Sequence, residues 1–145
     1  MMLALRIVSL ACGLLAFRGI RWAYVSYIAL GLLYFPAHVG FELHPRACQL
    51  GLSWRQAMYS LGNWAHIVLF AIFYLMTMAQ FRVHSRRSFA WAFLIVLAMG
   101  AAVEIAEGVT GDRNCRLRDL IPDGAGALAG MAIVALWTTV RARRR

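Results

Sequence analysis

Of the chain's six Asp and Glu residues, all but Glu42 lie between positions 104 and 123. Glu104 and Glu107 have a spacing that puts them on one helix face, one turn apart. Asp119 and Asp123 repeat that arrangement a short way downstream. Neighbouring carboxylates can share a proton, so one of a pair can act as acid or base. His66 is the ring that could titrate beside them, so Glu104 and His66 form a candidate acid–base couple. Arg113, Arg116 and Arg118 stand in the same stretch. A guanidinium suits phosphate or carboxylate bidentately. These arginines, with Glu107, Asp119 and Asp123 in support, are candidates for binding an anionic headgroup. Plainer roles stay open for each. Glu104 and His66 could form interhelical hydrogen bonds that fix packing. Asp119 could be a helix N-cap, with Asp123 favourable in the first turn. The loop arginines could neutralise those acids or touch anionic lipid.

The elements that must hold these groups are apolar. The chain has 145 residues, 62% of them hydrophobic and 14% charged. A soluble domain of this size needs more polar residues to cover its surface. Four stretches are near the length of a membrane-crossing helix: Trp22–Ala37, Trp64–Phe81, Ser88–Val109 and Pro122–Val140. Trp22, Tyr34, Trp64, Trp91 and Trp137 sit towards their ends, as interfacial anchors do. The expected fold is all-α: a single-domain polytopic membrane bundle over residues 1–145, with four transmembrane helices. Met1–Phe17 is apolar but holds Arg6. It is expected as a helix in the membrane interface, with a fifth span as the alternative.

On this pattern Glu104 and Glu107 end the third span, Asp119 and Asp123 open the fourth, and His66 lies one turn into the second. All five share one membrane level. A carboxylate inside a span is costly and usually faces protein, water or a partner charge, which makes Glu104 the most informative residue of the set.

The net charge is +9, and every basic residue that is not His is Arg. The arginines cluster between apolar runs: Arg18 and Arg21, then Arg82, Arg86 and Arg87, then Arg141, Arg143, Arg144 and Arg145. In a four-span chain these clusters share one side, which the positive-inside bias makes cytoplasmic. The C-terminus is then inside, and the loops around Val39–Asn63 and Thr110–Ile121 face out. No nucleic-acid recognition motif is present, and the bilayer accounts for the charge.

Cys12, Cys48 and Cys115 have no zinc-site spacing, so neither a metal nor a cofactor is expected. Cys48 and Cys115 fall in the two outer loops. On an oxidising face they could bond to each other; two free thiols is the alternative. Gly126 and Gly130 form a GxxxG segment. Such a segment lets helix backbones approach closely, within the chain or across a homodimer.

The stretch VEIAEGVTGDRNCRLRDLIPDGAGALAG, residues 103–130, resembles the signature of VanZ-like membrane proteins. Glu104, Glu107, Arg113, Asp119, Asp123 and Gly126 match that pattern in order. NWAHIVLFAIFYL resembles the family's histidine-bearing span, with His66 and Phe70 at the histidine and aromatic positions. The likeness is strongest over residues 63–140. Asn63 and Trp64 replace a common Asp–Lys pair, and Asp123 stands where Asn is common. The resemblance implies a bacterial cell-envelope protein of the inner membrane. It does not name a reaction.

The function expected is an outer-face polar site that binds or processes an anionic, lipid-linked headgroup. Membrane lipids would be its partners. The alternative is an accessory subunit packed against other membrane proteins in a larger complex. Proton-relay transport is a third reading, disfavoured by the lack of a repeat or broken helix.

Overall fold

A computed structural model of the chain describes residues 2–113 and 115–144. Those residues form six α-helices and no strand: α1 (Met2–Phe17), α2 (Arg21–His38), α3 (Trp54–Ser60), α4 (Trp64–Met78), α5 (Arg86–Thr110) and α6 (Leu120–Arg143). A 3-10 turn, Leu117–Asp119, leads into α6. The apolar stretches of the sequence coincide with α2, α4, α5 and α6.

The helix ends have local causes. Ser85 and Ser88 form a reciprocal capping box that starts α5 beside Arg86. Gly111 stops α5 in the left-handed conformation, φ 66°, with its N–H returned to the Glu107 carbonyl at 2.9 Å. α3 opens on a second capping box between Ser53 and Gln56.

α5 and the segment Leu117–Arg143 are long and apolar enough to cross a membrane. α3 and α4 meet that standard only as a pair, and they join at a 69° bend. α2 has 18 residues, but Arg21, His38 and three tyrosines dilute its hydropathy. α1 is apolar and only 16 residues long. Length and composition thus give two clear spans, or three with the bent pair, where the sequence suggested four.

α4, α5 and α6 form the centre. α4 and α6 run parallel and touch along their glycine face. A Cβ on Gly126 would collide with the Ile67 carbonyl oxygen. One on Gly130 would lie 2.8 Å from the Ala71 carbonyl oxygen and 2.9 Å from Tyr74 Cβ. The GxxxG segment therefore serves contact inside the chain. The core below it is aromatic and sulphur-rich: Phe70, Phe73, Tyr74, Met76, Met78, Val96 and Val134. Tyr24 of α2 reaches in to share a 2.8 Å hydrogen bond with Thr77 of α4.

α1 runs lengthwise and antiparallel along α2, instead of across the bundle end as an interfacial helix would. Gly13 faces the Tyr27 ring. At its last turn, the Gln80 amide donates to the Ala16 carbonyl at 2.6 Å. One end of the bundle thus holds Arg18, Arg21, Arg82, Arg86 and the end of α6. The other holds His66, Glu104, Asp119 and the two long loops.

Overpacking the glycine contact should separate α4 from α6. Gly130→Leu is expected to destabilise the fold by about 1–3 kcal/mol or more. Leu128→Ala, on the exposed face of the same helix, should change little. Thermal unfolding in detergent measures both, and equal transitions would remove the contact from this role.

Candidate functional site

The glycine contact that joins α4 to α6 also sets the first functional pair. His66 Nδ1 of α4 lies 2.8 Å from Asp123 Oδ1 of α6. With Asp123 ionised its oxygens only accept, and the imidazole then donates from Nδ1 and keeps Nε2 for other partners. Asp123 is 1% exposed. Its second oxygen packs against Gly100 of α5, where a Cβ would lie 2.6 Å away. Asp123 is thus the partner of His66, and among the described residues no arginine pairs with it.

Glu104 is also buried, at 5% exposure. Its Oε2 accepts the backbone N–H of Arg116 at 2.7 Å. The carboxylate thereby holds the loop that carries the arginines. Glu107, one turn on, is buried too and has no direct side-chain partner among the described residues. Asp119 starts α6 without a side-chain cap bond. Its Oδ1 lies 3.9 Å from Arg118 Nε. Asp112 stands 3.8 Å from His38 Nε2 at the end of α2.

The long loop after α2 folds back over this end. Arg46 N–H donates to the Gly108 carbonyl at 2.8 Å. Gln49 pairs with the strand-like turn before α6, donating to Cys115 O at 2.9 Å and accepting from Leu117 N–H at 3.1 Å. Cys48 and Cys115 are joined in a disulfide, Cα–Cα 4.6 Å. Gly108 and Gly111 allow this close cover. A Cβ on Gly108 would lie 2.9 Å from Cys115 Cβ, and one on Gly111 would meet the His44 carbonyl.

These contacts border a half-open polar chamber of about 440 Å³. Glu104, Glu107, Asp112 and Asp119 line it, with Arg113, Arg116, His66 and Asn63. Four carboxylates thus face two guanidiniums. An apolar slot of about 500 Å³ opens beside it, between α1, α2, α4 and α5. Leu5, Leu30, Leu69, Phe70 and Met99 are among its walls, and Arg6 and Ser9 of α1 also border it. His66, Glu107 and Arg113 line both spaces.

Arg118 lies elsewhere. It lines a second polar cavity, about 620 Å³, with Asn63, Arg116 and Asp119 on the shared side. Of the three arginines proposed from sequence, Arg113 and Arg116 enter the chamber and Arg118 turns to its neighbour. Asn63 is marked in sequence only by the family resemblance and Asp112 only as an acid beside the loop arginines; Ser60 has no signal beyond polarity, because only the folded loops bring it to the second cavity. Among the described residues no group of His, Cys, Asp or Glu is arranged to hold a metal ion.

Apolar helices and an ionisable cluster closing one bundle end define a small, all-helical membrane protein. The chain belongs to the VanZ/LLP1 family, whose model matches residues 12–138. No curated protein and no solved structure matches it.

The disulfide closes a loop of 67 residues, for which chain entropy gives about 4 kcal/mol of stabilisation. Cys48→Ser is expected to lower the melting temperature and to expose the 44–50 segment to protease. Unchanged melting and cleavage would show that the backbone pairing through Gln49 suffices.

Proposed function

We propose that the protein binds or processes an anionic, lipid-linked headgroup at the outer face of the bacterial inner membrane. The observation that carries this reading is the shared wall. His66, Glu107 and Arg113 border both an apolar slot and a polar chamber. A chain with a polar head would fit both.

The chain would lie in the slot and the head in the chamber. Arg113 and Arg116 meet its negative charge there, and Arg118 meets what extends beyond. The four carboxylates accept from hydroxyl or N–H groups of the head, which suits a head richer in donors than a bare phosphate. Glu104 and His66 are the groups for proton transfer. His66 is held by Asp123 through Nδ1, so its free nitrogen can exchange a proton with the chamber.

Topology supports this orientation. The arginine-rich bundle end is the cytoplasmic one by the positive-inside bias, so the C-terminus is inside and the site outside. Because α1 lies antiparallel to α2, we count α1 as a crossing beside α2, α3–α4, α5 and α6. That is the four-span bundle with a fifth span ahead of it. An outer, oxidising location also suits the Cys48–Cys115 disulfide.

Native mass spectrometry of protein extracted gently from its own membrane tests the reading. Wild type should carry an anionic lipid. Arg113→Gln with Arg116→Gln should lower its occupancy at least about tenfold. Glu104→Gln should retain the lipid and lose the dependent cellular activity. Equal lipid occupancy in wild type and the double arginine variant would refute the site. Full activity of both Glu104→Gln and His66→Ala would remove their proton-transfer role. Recovery in fixed ratio with other membrane proteins, with no lipid retained, would favour an accessory subunit.

A further inference from the structure

The second polar cavity differs from the chamber in one respect that matters for ligands. Two residues on its walls each carry a buried polar atom without a partner. Ser60, at the end of α3, is 5% exposed, and its hydroxyl makes no hydrogen bond. The Nε–H of Arg116 is buried and unpaired as well. Buried donors without acceptors are uncommon, because nothing replaces the water they lost. Here both residues line one cavity, and a side-chain rotation of either would bring its donor to one acceptor-rich group held there.

Charge points the same way. Arg116 and Arg118 line this cavity against a single carboxylate, Asp119, which already stands 3.9 Å from Arg118 Nε. The adjoining chamber shares Arg116 and Asp119 and adds three further carboxylates, Glu104, Glu107 and Asp112, against Arg113 and His66. Of two joined spaces, negative charge is therefore the more stable in the outer one. A tetrahedral oxyanion offers one oxygen each to Ser60, Arg116 and Arg118; a carboxylate has only two.

We infer that the cavity between α3, Asn63 and the Leu117–Asp119 turn is a phosphoryl-binding subsite. The phosphoryl group is either the outermost group of a lipid headgroup or free phosphate. The subsite stands on its own geometry, and its assignment to a lipid rests on the function proposed above. Within that reading, the donor-rich middle of the headgroup occupies the acidic chamber and its terminal phosphoryl group reaches Ser60.

The test uses the full chain in neutral detergent, with inorganic phosphate and dioctanoyl phosphatidic acid as separate probes in equilibrium dialysis. Inorganic phosphate is expected to bind saturably. Ser60→Ala combined with Arg118→Gln should weaken it about tenfold or more. Arg55→Gln, on the exposed side of α3, should leave it unchanged. Ser60→Ala alone, which removes one hydroxyl without altering packing, should weaken it measurably. Absent saturable phosphate binding, or equal binding by wild type and the double variant, overturns the subsite. Tighter binding of phosphatidic acid than of phosphate supports a lipid source. Equal affinity for the two supports the subsite with free phosphate as its ligand and counts against the lipid-linked reading.

Discussion

Asp123 is a carboxylate with almost no access to solvent, in a helix that carries no other charge before Arg141. A lone ion there would be strongly unfavourable. Its partner, His66, sits on a different helix, and a 2.8 Å contact requires α4 and α6 to approach closely. Gly126 and Gly130 make that approach sterically allowed, and Gly100 clears room for the second carboxylate oxygen on the α5 side. Three glycines on two helices thus serve one ion-pairing requirement. The rest of the site is hung from the helices so fixed: Glu104 on α5, the arginine turn bonded to Glu104, and the loop bonded to that turn.

This arrangement explains why a segment of short loops can hold so many charges in order. Arg116 is constrained twice, by its N–H on Glu104 and by the parallel pairing of its neighbours with Gln49. The disulfide adds a covalent tie at Cys115, the residue before it. An arginine held through its backbone keeps its guanidinium for a ligand. That separation of roles, backbone for fixing and side chain for binding, is what a preformed polar site needs.

Much of the fold was legible because hydropathy and helix length are local properties. The boundaries of α2, α4, α5 and α6 follow the apolar runs closely. The grouping of Glu104, Glu107, His66 and Asp119 was legible too, since helix periodicity and span order fix their level. The path of α1 was not. An apolar helix of 16 residues can lie in an interface or along a neighbour, and only Gly13, Ala16 and their contacts with Tyr27 and Gln80 decide. The partner of Asp123 was also illegible, since spacing within α6 says nothing of which α4 residue it meets. Arg118 was grouped with Arg113 and Arg116 by proximity in sequence; the 3-10 turn rotates it into the adjoining cavity. Ser60 lies just before the 69° bend between α3 and α4, which no periodicity announces.

The central claim is that one amphipathic molecule spans the apolar slot and the polar chamber. An experimental structure of the protein in a bilayer of its native lipids tests this most directly. The account predicts continuous density that enters between α1, α2 and α4 and ends beside His66, Glu107 and Arg113. A chamber holding only water, with lipid confined to the outside of the bundle, would contradict it.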